Sequence, residues 1–66
     1  MDIAKELREH RKEHKVSQNE VAKAVGVTQQ AVSLWESGIT EPTIGFCIKL
    51  ADFYGITLDE LFGRRE

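Results

Sequence analysis

Gly26, Gly38, Gly55 and Gly63 each stand where an apolar helical period has just run out, and this punctuation restricts the chain more than any other feature. Glycine readily adopts the left-handed backbone that closes a helix, so four helix stops are implied. The starts are marked as well. Ser17-Gln18-Asn19-Glu20 and Thr57-Leu58-Asp59-Glu60 both fit the capping box, in which Ser or Thr and a Glu three residues on satisfy orphan backbone donors reciprocally. Asp2, Thr28 and Thr43 suit the caps of the remaining segments. The pattern predicts five helices, roughly over residues 2–13, 18–25, 28–37, 44–54 and 58–62. No stretch alternates apolar and polar residues long enough to suggest a sheet, so the expected fold is all-α. The helical period nominates a core of Ile3, Leu7, Val21, Ala22, Val25, Ala31, Val32, Trp35, Ile44, Ile48, Leu50, Ala51, Tyr54, Leu58, Leu61 and Phe62.

Sixty-six residues make at most one domain, here expected to be residues 1–66 as a single unit with no linker, repeat or low-complexity tract. A chain of this size has no room for a large catalytic cleft or a ligand-sensing domain. With 41% hydrophobic and 30% charged residues it is too apolar for a disordered tail. No run approaches the ~18 apolar residues of a membrane span, and no signal-peptide h-region follows Met1, so a soluble protein without a membrane partner is expected. The single cysteine, Cys47, cannot form an intramolecular disulfide, which favours a reducing, cytoplasmic setting. Net charge is −2, but residues 1–30 carry six basic and five acidic side chains and residues 31–66 three and six. The first half is thus +1 and the second −3.

From Gln18 to Trp35 the chain reads QNEVAKAVGVTQQAVSLW. Ala22 is small enough to let a following helix pass close by, Gly26 can turn the chain, and Val21, Val25, Val27, Val32 and Trp35 supply a shared core. This is helix-turn-helix spacing over about residues 18–37, although an ordinary helical corner has similar requirements. The outward face of the second helix discriminates further. Burying Val32 and Trp35 turns Gln29, Gln30, Ser33, Leu34 and Ser37 away from the core, where a merely solvated helix would show Glu and Lys. Glutamine can pair bidentately with adenine N6 and N7 in a major groove, and no acidic residue lies between Thr28 and Trp35 to repel phosphate.

Leu7 to Gly38 (LREHRKEHKVSQNEVAKAVGVTQQAVSLWESG), then Pro42, then Ile48 to Gly63 (IKLADFYGITLDELFG) together resemble the Cro/CI-type, XRE-like helix-turn-helix regulators. The likeness covers nearly the whole chain and includes the Trp35-Glu36-Ser37-Gly38 end of the third helix. It implies a compact five-helix lambda-repressor-like domain that binds double-stranded DNA and needs no cofactor. By position, Gln29, Gln30, Ser33 and Leu34 would read bases, with Leu34 meeting a thymine methyl or no base at all. Gln18 would hold a phosphate at a helix N-terminus, joined by Asn19, Thr28, Ser37, Thr40 and Thr43. Arg11 and Glu36 match an ion pair that in relatives ties helix one to the end of helix three. The loop Ile39-Thr40-Glu41 departs from the family, which often carries phosphate-binding cations there. Fewer neutralised phosphates mean weaker binding per subunit, so a homodimer or a regulatory protein partner becomes more necessary.

Relatives often dimerise through the region after the recognition helix. Ile39, Ile44, Phe46, Phe53, Leu58 and Phe62 are more apolar residues than that end of so small a domain easily buries, and Ile44, Phe46, Leu58 and Phe62 are the candidate interface. Completion of the monomer core is the other use for them. His10 and His14 share a helical face at metal-ligand spacing, but no third ligand is apparent and a solvated face is favoured. Cys47 between Phe46 and Ile48 is expected to pack as a small hydrophobe. No Gly-rich phosphate loop or activated nucleophile is present, so an enzyme is not expected. The function implied is a sequence-specific transcriptional regulator, a repressor acting as a homodimer on an inverted repeat. The alternative is a protein-interaction module on the same scaffold, which the acidic second half favours.

Overall fold

Caps, stops and apolar stripes fix the helices where local chemistry places them. The computed structural model describes residues 2–64 and forms α1 over Ile3–Glu13, α2 over Gln18–Val25, α3 over Gln29–Ser37, α4 over Ile44–Tyr54 and α5 over Leu58–Leu61. No strand occurs among the described residues, and no helix is long and apolar enough to cross a membrane. Both capping boxes form. Ser17 Oγ accepts from the Glu20 N–H at 3.0 Å while Glu20 Oε1 accepts from the Ser17 N–H at 3.0 Å, and Thr57 and Glu60 repeat the exchange at 3.1 and 3.0 Å. Asp2 and Thr28 cap α1 and α3 by accepting from Lys5 and Ala31 N–H groups. Thr43 occupies the cap position of α4 but makes no side-chain cap bond, unlike the other four.

The glycine stops behave alike. Gly26, Gly38, Gly55 and Gly63 have φ of +83°, +82°, +69° and +78°, and the residue after each donates its N–H five residues back. A fifth stop uses the same motif without glycine. Lys15 sits at φ +56°, and Val16 N–H reaches Arg11 O at 3.3 Å, closing α1. A lysine in that region carries a backbone cost that glycine would not.

α3 packs on α1 and α2, α4 on α2 and α5, and α5 returns to α1. Between them lies a core of Leu7, Val21, Ala22, Val25, Val32, Trp35, Cys47, Leu50, Ala51, Tyr54 and Leu61. Ile3, Ala31, Leu58 and Phe62 are half-buried against it. Two expected core residues are not there: Ile44 is 63% exposed and Ile48 47%. Their helix buries the face of Cys47, Leu50, Ala51 and Tyr54; Ile48 lies a third of a turn off that face, and Ile44 lies in the first turn, at the rim of an open groove.

Of the two histidines, His14 is exposed as expected and His10 departs from expectation. His10 is buried, not solvated, because α5 folds back over α1 and Glu60 O lies 2.9 Å from His10 Nε2. A carbonyl only accepts, so Nε2 carries the proton. His14 Nδ1 lies 2.9 Å from His10 O, and its ring stacks on Tyr54 at 4.7 Å. The two rings thus serve the α1–α4–α5 junction. Among the described residues no cluster of metal-ligating side chains forms.

Candidate functional site

α3 presents two unlike faces. Val32, Trp35 and Glu36 are buried, whereas Gln29, Gln30, Ser33 and Ser37 are exposed and Leu34 is half-buried. The first turn holds the two carboxamides beyond the Thr28 cap, where helix N–H groups give a positive end. The helix has one acidic residue, Glu36, and it is 5% exposed. The outward surface of α3 is therefore uncharged and rich in groups that both donate and accept.

Glu36 is neutralised where it lies. Arg11 from α1 donates Nε to Glu36 Oε2 at 2.7 Å and Nη2 to Oε1 at 3.0 Å, a two-pronged pair, and sends Nη1 to Val16 O at 3.1 Å. Hydrogen bonding to Glu36 holds the Arg11 guanidinium above the ordinary arginine range, against the opposing effect of burial. Arg8 Nη1 donates to the backbone oxygen of Glu36. Gln18, first residue of α2, adds its Nε2 to Glu36 Oε1 at 3.1 Å. Three elements thus meet on one carboxylate: α1, the start of α2 and the last turn of α3. Sequence reasoning paired Arg11 with Glu36 but missed Gln18, which it assigned to a phosphate alone.

The other expected phosphate ligands differ in what they have left to give. Thr28 Oγ1 accepts from Ala31 N–H at 3.1 Å and keeps its own proton for an outside acceptor. Ser37 Oγ spends its proton on Leu34 O at 3.0 Å, so in this rotamer it can accept but not donate. Asn19, Thr40 and Thr43 are exposed, and the Thr43 hydroxyl is free of capping. Exposed Glu41 stands between the two threonines and supplies negative charge where a cation would help.

The apolar candidates divide. Ile39 and Ile44 are 71% and 63% exposed. Phe46, Leu58 and Phe62 are half-buried against the core, Phe46 with its ring 5.7 Å from that of Trp35. Ile3, Glu41, Pro42, Ile44, Cys47 and Phe62 line an open groove of about 310 Å³ between them. Cys47 is itself buried, with Sγ 3.8 Å from Pro42 O, and burial reinforced by the charge of Glu41 pushes its thiol up. It packs as a hydrophobe, and no activated thiol faces the groove.

This arrangement recurs in known proteins. The helix-turn-helix family profile matches residues 7–61. An uncharacterised HTH-type transcriptional regulator of Methanocaldococcus jannaschii is 30% identical over 56 residues, covering 85% of each chain. The cryptic phage CTXphi transcriptional repressor of Vibrio cholerae is 33% identical over 64 residues, 97% of this chain but 58% of the repressor's length. Among solved structures, the P22 c2 repressor in complex with a synthetic operator superposes with a TM-score of 0.86 at 30% identity, over 96% of both chains. A transcriptional regulator from Listeria innocua gives 0.87 at 31% identity, over 97% of this chain and 60% of that one. The chain belongs to the helix-turn-helix family of Cro/CI-type transcriptional regulators.

Proposed function

We propose that this protein is a transcriptional repressor of the cytoplasm that binds double-stranded DNA as a homodimer, with α3 in the major groove of each half-site. The observation that carries the reading is the uncharged α3 surface, where Gln29 and Gln30 project from the first turn while the helix's acid is buried against Arg11. The function is binding, with no catalysed step. Gln29 and Gln30 read adenine edges, Ser33 and Leu34 contact the next bases, and Leu34 favours a thymine methyl. Gln18, Asn19, Thr28, Ser37, Thr40 and Thr43 hold phosphates on either side, which fixes register without reading sequence. The operator complex of the P22 c2 repressor, so similar in fold, supports this placement.

Two copies meet through Ile44, Phe46, Leu58 and Phe62, of which Ile44 is exposed and the other three are half-buried. Replacing Gln29 and Gln30 with Ala tests the reading. Discrimination between operator and random duplex should fall by roughly 10-fold or more per lost base contact, at unchanged helical circular dichroism. A double variant with intact discrimination defeats it. The exposed Ile39-Thr40-Glu41 loop, which lacks cations, favours a second reading in which a regulatory protein is the main partner. Indifference of both DNA and fold to the two glutamines is what that reading expects.

A further inference from the structure

We propose that Glu36 positions Gln18 for its phosphate, beyond its pairing with Arg11; the inference rests on the reading of Gln18 as a phosphate ligand. An ionised carboxylate can only accept, so the atom of Gln18 that faces Glu36 Oε1 at 3.1 Å must be Nε2 and not Oε1. This settles the orientation of the carboxamide by chemistry alone. One Nε2 hydrogen is spent on Glu36, and the other is the only side-chain donor Gln18 has left. Gln18 is also the first residue of α2. The capping box uses the N–H groups of Ser17 and Glu20, leaving those of Gln18 and Asn19 as unpaired first-turn donors among the described residues.

A phosphate at this end of α2 would therefore meet backbone donors and one side-chain N–H whose rotamer is already fixed. Glutamine is a long side chain that otherwise loses rotamer freedom when it binds. The hold exerted from the last turn of α3 removes that loss in advance, which is a gain of about 2- to 10-fold in affinity per protomer. Arg11 contributes by holding the Glu36 carboxylate in place through two hydrogen bonds, so the pair that joins α1 to α3 also sets the geometry of α2's anion contact.

The test is a mutant cycle on the full chain, using a duplex obtained by selection from a random library as the probe. Exchanging both members of the pair, Arg11→Met with Glu36→Leu, removes the acceptor without leaving a lone buried charge. Gln18→Ala removes the ligand, and the triple variant closes the cycle, all at a temperature where circular dichroism shows each chain folded. The pair exchange is expected to weaken binding about 2- to 10-fold with Gln18 present and to add little once Gln18 is Ala. Equal losses in both backgrounds would overturn the positioning role while leaving Gln18 a phosphate ligand. A Gln18→Ala variant of undiminished affinity would remove the phosphate reading and the proposal with it. The parent protein gives a second measurement that needs no substitution. Side-chain amide NMR of the free protein should show one Gln18 Nε2 proton protected from exchange, unlike those of exposed Gln29 and Gln30, and duplex should shift the other. Two rapidly exchanging Gln18 protons would contradict the proposal.

Discussion

Removing Arg11 while keeping Glu36 is the most severe single change that the structure identifies outside the apolar core. The two side chains are 17% and 5% exposed and bond through two N–H groups, so this is not a surface pair, whose worth is about 0–1 kcal/mol. In Arg11→Met, Glu36 keeps the single N–H of Gln18 in a site closed to water, and Val16 O also loses its donor. A buried charge deprived of its partner costs about 3–5 kcal/mol. Total stability for 66 residues, at about 0.05–0.15 kcal/mol per residue, is roughly 3–10 kcal/mol, so the variant sits at the edge of folding. Trp35, the sole tryptophan and 6% exposed, reports unfolding by fluorescence in urea. With a slope on the order of 1 kcal/mol per molar, the midpoint should fall by about 3 M or the chain should be unfolded at the start. Exchanging both partners, Arg11→Met with Glu36→Leu, should restore most of the loss. A midpoint that moves by less than about 1 kcal/mol equivalent in the single variant would refute the account of a desolvated pair.

Other perturbations test other links. Lys15→Gly removes a left-handed lysine and should stabilise by about 0.5–1 kcal/mol, raising the thermal midpoint by several degrees; a lower midpoint would show that Lys15 is not strained. Leu61→Ala, at a site with 0% exposure, should cost about 2–5 kcal/mol in the same urea assay, and a cost under 1 would mean α5 is not part of the cooperative unit. Burial, then the charge of Glu36, pushes the Tyr54 phenol up to about 12, and burial raises the Cys47 thiol as well. Both folded values are raised, so the neutral forms stabilise the fold below the ordinary values of 9.0 and 10.0. That stability is lost as pH climbs toward about 12, and Tyr54→Phe should flatten the decline in urea midpoints between pH 10 and about 12.

What the sequence disclosed was whatever depends on near neighbours. Caps at Ser17, Thr28 and Thr57 and the glycine stops involve groups three to five residues apart, so spelling alone locates them. Lys15 closes α1 by the same geometry and was invisible because lysine does not announce a left-handed residue. α4 is apolar around most of its circumference, so periodicity nominated Ile44 and Ile48 alongside Leu50, Ala51 and Tyr54. Only packing against α2 and α5 decides which stripe is buried. His10 looked solvated because its partner, Glu60 O, lies fifty residues away. Gln18 looked like a ligand only, because its bond to Glu36 requires knowing that the start of α2 meets the end of α3.

The central claim is that the α3 surface reads DNA sequence, and selection of bound duplexes from a random library at about 100 mM salt tests it most directly, since purely electrostatic contacts are already weakened there. The account predicts enrichment of a two-fold symmetric site with half-sites about one helical turn apart, adenines facing Gln29 and Gln30, and enrichment lost when both become Ala. A folded protein that enriches no sequence would contradict it.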